Sequence, residues 1–104
     1  MNKMHIAIGV LDIARSVEDY SKRLGCQPCV VVANEYALWR TPTVNFSIRR
    51  SQEESGKLRH LGWEDSSVLE FSQDTDVNGI VWERFTAEQQ VKEIEETWPG
   101  STGL

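Results

Sequence analysis

The stretch from Met4 to Gly25 constrains this chain more than any other. From Met4 to Val10 it alternates as a strand does, with His5, Ala7 and Gly9 on one side and Ile6, Ile8 and Val10 on the other. A helix follows at once. Asp12 is a good N-cap type, Ile13, Val17, Tyr20 and Leu24 recur at helical spacing, and charged residues (Arg15, Glu18, Asp19, Lys22, Arg23) cover the remaining surface. Gly25 stands where the helix should stop. A strand that feeds directly into an amphipathic helix predicts a mixed fold. The aliphatic side of the strand is its core face. The other side joins a histidine to two very small residues and so leaves room, either for a ligand or for a close-packed neighbour.

The rest of the first half reads as an antiparallel meander. Cys29 to Ala33 is a β-branched run, Asn34-Glu35 a turn, Tyr36 to Arg40 a strand, Thr41 to Thr43 a turn, and Val44 to Arg49 a strand. In the last of these Val44, Phe46 and Ile48 point one way and Asn45, Ser47 and Arg49 the other. The polar stretch from Ser51 to Gly56 divides the chain into halves, and the first half reads β-α-β-β-β. In the second half Leu58 to Trp63 is a predicted strand. Val68 to Ser72 fits a strand or a short helical turn, and Asp74 to Gly79 is rich in turn formers. Ile80 to Phe85 is a predicted strand. Thr86 with Gln89 forms a capping-box pattern for a last helix, whose stripe is Ala87, Val91, Ile94 and Trp98, with Pro99-Gly100 ending it. Ser101 to Leu104 is expected to fray.

With 104 residues the chain is expected to be one domain, residues 1–104, with a small core. Its 39% hydrophobic and 26% charged content fit a folded globular protein. The net charge of −5 argues against nucleic acid, which needs a clustered positive field, and Arg49-Arg50 is the one dense basic spot. No apolar run approaches the roughly 20 residues of a spanning helix, so no membrane partner is expected. The N-terminus lacks the apolar core of a signal peptide, and a cytoplasmic location is the resulting expectation. Cys26 and Cys29 form a Cys-Gln-Pro-Cys motif, but it follows a helix instead of opening one, and no second pair exists. Both are read as reduced, structural cysteines.

Two short segments match each other. His5-Ile6-Ala7-Ile8 and His60-Leu61-Gly62-Trp63 share the order histidine, aliphatic, small, large apolar, and each heads one half of the chain. With Asp12, Ser16, Tyr20 and Leu24-Gly25, the first segment resembles the opening pattern of the vicinal oxygen chelate superfamily, the glyoxalase, bleomycin-resistance and extradiol dioxygenase group. The resemblance covers residues 4 to 50 well and the remainder in part. It implies an α+β fold in which one βαβββ module (residues 1–50) packs beside a second, reduced or rearranged one (57–104), making a mostly antiparallel curved sheet flanked by helices. The second half departs from the pattern, because only Asp65 to Gln73 is available for the helix expected after its first strand. A different internal register would pair the Ile13 stripe with the Ala87 stripe, and in it Glu83 would lose its place.

For the site, the resemblance implies a divalent metal (Fe, Ni, Zn or Mn) held by first-strand and last-strand residues of each module. His5 and His60 match the first-strand positions, and Glu83 matches the closing strand after Asn78-Gly79. The fourth position falls within Val44 to Arg49, which offers Asn45 and Ser47 but no carboxylate or histidine. Two histidines and a carboxylate still make a sufficient set for a divalent metal. The alternative is a pair of hydrogen-bonded structural histidines beside a solvated Glu83. The meander that would line the cavity supplies Tyr36, Trp39 and Arg49, and Trp63 is a further stacking candidate for a planar ligand, the tryptophans being otherwise core or dimer contacts. Three functions compete. A small-molecule binding protein without metal is favoured by the absent fourth ligand. A metal-dependent glyoxalase- or dioxygenase-like enzyme would use His5, His60 and Glu83. A dimeric interaction protein would use the sheet as a platform, and a homodimer is expected in any case.

Overall fold

The computed structural model describes residues 2–102. The elements are β1 (Lys3–Val10), α1 (Ile13–Leu24), β2 (Val30–Val32), β3 (Tyr36–Arg40), β4 (Val44–Arg50), β5 (Leu58–Glu64), β6 (Ser72–Thr75), β7 (Val81–Phe85) and α2 (Ala87–Thr97). The strands form one sheet in the order β2-β3-β4-β1-β5-β7-β6. β1 lies parallel to β4 and β5 parallel to β7, while the other neighbours, including the central β1–β5 pair, are antiparallel. The fold is therefore α+β on a mostly antiparallel open sheet. No described helix is long and apolar enough to cross a membrane.

The two helices cover opposite faces, and the alternation of β3 shows which residues meet which. Ala37 and Trp39 face α1 and join Val10, Ile13 and Ile48 in a core that Val17, Tyr20 and Leu24 flank. Tyr36 and Leu38 face α2 and pack against Ile94 and Trp98. Both helices begin as their sequences require. The Asp12 side chain accepts from the Arg15 N–H, and Thr86 and Gln89 form a reciprocal capping box.

Several expectations are corrected. β6 begins where Val68 to Ser72 was expected to end and runs into the turn-rich stretch. All four of its residues are exposed, so it is held by its ladder with β7 and burial contributes nothing that periodicity could detect. No helix follows β5, since residues 65–71 form turns and bends. The room beside Gly9 is filled by chain: a Cβ there would lie 2.5 Å from the Glu54 carbonyl oxygen, and Gly56 donates to the Gly9 carbonyl. Cys29 is exposed ahead of an edge strand, and only Cys26 is half-buried; both thiols are free. The tail is tied back through Thr102, because the Glu95 carboxylate accepts from Gly100 and Thr102. Residues 103 and 104 lie outside the described residues.

Candidate metal centre and its cavity

Strand register brings His5, His60 and Glu83 together. His5 on β1 pairs with Gly62 on β5, and Gly62 pairs with Glu83 on β7, so His5, Gly62 and Glu83 form one row across the sheet. Gly62 separates His5 from Glu83 without a side chain between them. A Cβ on it would sit 2.3 Å from the Glu83 carbonyl oxygen, which the backbone could not yield. His60 lies one row along, paired with Ala7. The His5 and His60 Nε2 atoms are 3.0 Å apart, and the His60 Nε2 lies 3.1 Å from Glu83 Oε1. One potential ligand atom from each of the three residues lies within 4.8 Å of the other two.

By the same register, the fourth position that the resemblance implies falls on Ser47. Glu83 stands opposite Gly62, two residues beyond His60, and the matching residue for His5 stands opposite Ala7, which is Ser47. Ser47 lines the cavity and carries a hydroxyl where a carboxylate would complete a symmetric set.

Behind His5 lies a buried polar relay. Arg40 grips Glu64 through two hydrogen bonds of 2.8 and 2.7 Å, Glu64 accepts from Asn45 Nδ2 at 2.9 Å, and Asn45 Oδ1 faces His5 Nδ1 at 2.8 Å. Gln90 from α2 completes a reciprocal amide pair with Asn45. This chain of partners fixes the imidazole tautomer. An ionised carboxylate only accepts, so the Asn45 amide must turn its NH2 toward Glu64 and its oxygen toward His5. His5 Nδ1 is therefore the donor. The Asn45 backbone carbonyl, 3.2 Å from the same nitrogen and also an acceptor only, requires the same answer. The lone pair of His5 is thereby left on Nε2, facing His60 and Glu83.

The electrostatics agree. Burial holds His5 below the ordinary histidine pKa, against the opposing pull of the Asn45 hydrogen bond, so it is neutral near pH 7. Burial pushes the Glu64 carboxyl up, but the hydrogen bonds from Arg40 and Asn45 outweigh it and the net displacement is downward. Phe85 meets the His5 ring edge-on with centroids 4.9 Å apart, giving the centre a dry side.

His5, His60, Glu83 and Phe85 form the floor of a cavity of about 220 Å³. Tyr36, Ser47 and Arg49 rise on one side, and α2 closes the top with Gln90, Ile94 and Trp98. At about 30 Å³ per water, the volume suits a small molecule and falls below the drug-sized range. The donor set can hold a divalent cation. With bonds near 2.1 Å, two ligands at right angles stand about 3.0 Å apart, and the two spacings at His60 are 3.0 and 3.1 Å.

Of the sequence-based ligand candidates, Tyr36, Ser47 and Arg49 line the cavity and three do not. Trp39 is completely buried on the α1 face, where its indole N–H donates to Ser21. Trp63 lies on the opposite face of β5 from His60 and Gly62. Asn45 is buried behind His5 and positions the ring without reaching the cavity. Sequence alone misses Arg59, Phe71, Phe85 and the α2 residues Gln90 and Trp98 as cavity residues. Phe85 and Glu83 alternate onto one face of a strand, and that signal could have found Phe85.

No protein-family model matches the chain, and no curated protein matches it. Among solved structures it is similar to a chain from the crystal structure of an NAD-dependent benzaldehyde dehydrogenase of Legionella pneumophila. The TM-score is 0.55 at 12% identity, covering 80% of this chain and 97% of that one. At this identity the likeness is one of fold.

Proposed function

We propose that the protein binds a divalent metal through His5, His60 and Glu83 and presents it to a small molecule in the cavity beneath α2, as a metal-dependent member of the vicinal oxygen chelate superfamily. What carries this reading is the convergence of those three side chains at the cavity floor. A metal bound there would act as a Lewis acid toward a ligand oxygen. The chain's own residues do the rest. Asn45 holds His5 with its Nε2 lone pair presented, Gly62 keeps the path between His5 and Glu83 clear, and Phe85 and α2 exclude water from one side. Ser47 at the fourth corner leaves that position to the ligand or to water.

One observation favours a metal-free binding module. A single proton on His60 Nε2, shared between His5 and Glu83, satisfies all three groups by hydrogen bonding. Metal analysis separates the two readings. Purified protein offered Fe(II), Ni(II), Zn(II) and Mn(II) in turn is expected to retain one equivalent, and the His5→Ala/His60→Ala double variant none. A wild-type protein that retains no ion from any of the four would overturn the metal reading and leave the binding module.

A further inference from the structure

β5 carries a β-bulge beside the proposed centre. Along β1 the pairing advances one residue, from Ala7 to Ile8, while along β5 it advances two, from His60 to Leu58. Arg59 is the extra residue. In a regular strand neighbours point to opposite faces, so an ordinary β5 would turn Arg59 away from the cavity that His60 faces. The bulge re-aims it, and both line the same cavity. A second arginine, Arg49, enters from β4 with its guanidinium 5.1 Å from the centre of the Trp98 ring. Stacking there restrains the group while leaving its edge N–H donors available. Among the described residues neither Arg49 nor Arg59 forms an ion pair, whereas Arg40, Arg50 and Arg84 all do.

Histidines aside, the charged side chains lining the cavity are these two arginines against Glu83 and Glu93. They cancel. A divalent cation at the centre then leaves a positive excess in a protein whose net charge is −5. A cationic pocket in an acidic chain selects for an anion. The walls add an apolar part, because Phe71, Phe85, Ile94 and Trp98 line the space beside the polar Gln89, Gln90 and Thr97.

We infer that the ligand of this cavity is a small organic carboxylate with an apolar or planar body, its anionic group held by Arg59 and Arg49. The inference rests on the metal reading above and names the substrate class of that site. Arg59 is the discriminating residue, since the bulge exists at its position and, among the described residues, no ion pair engages its charge. Lysine would not replace either arginine, because a bidentate grip on a carboxylate needs the planar fork.

The test uses matched pairs of probes, benzoate with benzamide and acetate with acetamide, titrated into metal-loaded and metal-free full-length protein by calorimetry and amide-shift mapping. Metal uptake is measured separately on every variant. Support would be a carboxylate bound more tightly than its amide, weakened about tenfold or more in Arg59→Gln, with metal uptake unchanged. Arg49→Gln is expected to act in the same direction. Equal binding of acid and amide, no binding of either carboxylate, or an Arg59→Gln variant indistinguishable from wild type would each overturn the anion assignment while leaving the metal reading standing. Absence of metal uptake would overturn the metal reading instead. The anion assignment then survives if metal-free protein still prefers the carboxylate through Arg59, and otherwise falls with it.

Discussion

The two faces of the sheet solve different problems with the same strands. The α1 face is apolar: Val10, Ile13, Ala37, Trp39 and Ile48 interlock, and among the described residues its one polar link to the helix is the Trp39 indole on Ser21. The α2 face buries a histidine, an asparagine, a glutamate and a glutamine within one hydrogen-bonded relay and leaves a cavity above it. Close packing stabilises the first face, where any well-shaped apolar set would serve. The second face loses packing area to the cavity and gains defined orientations, since each member of the relay has a partner that fixes its role. Stability and site chemistry are thus separated by the thickness of one sheet.

That separation can be broken by mutation. The largest effect is expected from Trp39→Ala, which should cost about 3–5 kcal/mol in denaturant melts while leaving metal uptake by the folded fraction unchanged. A loss of metal affinity would show that the faces are coupled. Asn45→Leu keeps the branched shape but strips Glu64, Gln90 and His5 of a partner. It should cost about 2–4 kcal/mol, from several buried groups left unpaired, and weaken metal binding up to about 10–100-fold, because His5 Nδ1 loses the nearer of its two acceptors and keeps only the Asn45 backbone carbonyl. Nitrogen-15 shifts of the His5 ring would report the tautomer directly, and an unchanged Nδ1–H form together with unchanged metal affinity would assign the tautomer to the Asn45 backbone carbonyl and remove the relay from the account.

The smallest expected effect is a pH dependence confined to the α2 face. Native His5 binds its proton less readily than the unfolded chain does. As pH falls below about 6.5, the unfolded state takes up a proton that the native state refuses, so stability declines until the native pKa is reached. Above that window the contribution is fully present. The Glu64 carboxyl, displaced downward, acts in the same direction but only in the more acidic carboxylate range. Urea midpoints measured from pH 8 to 5 should therefore fall in wild type and flatten in His5→Gln. Parallel curves would remove His5 from the account.

The α1 face was legible in the sequence because each of its determinants is local. Asp12, the Ile13 stripe, Gly25 and the alternation of β1 all act within a few residues of one another. The trio His5, His60 and Glu83 was legible by resemblance, and the structure brings the three side chains together. Two of the three candidates that lie away from the cavity, Trp39 and Trp63, turn on which helix covers which face, whereas Asn45 lies on the cavity face but behind His5. Trp39 and Tyr36 sit on the same strand three residues apart and go to opposite sides. No pattern within β3 says that α1 takes the side of Trp39. Trp63 fails for the same reason, one residue from Gly62. The bulge at Arg59 was invisible because it exists only in the pairing of β5 with β1, and Gln90 because an amide on a helix reads as a surface residue until a buried Asn45 is found opposite it.

The central strand pair has one more consequence. β1 and β5 carry the backbone ladder that joins the first 50 residues to the last half of the sheet, and the two histidines belong to opposite sides of that seam, 55 positions apart in the chain. Neither half can own the centre. Whatever bridges His5 and His60, proton or ion, is also a clasp between the halves, so filling the site and holding the seam shut draw on the same free energy. A chain severed in the exposed loop between β4 and β5 would regain the centre only by the reunion of its two pieces.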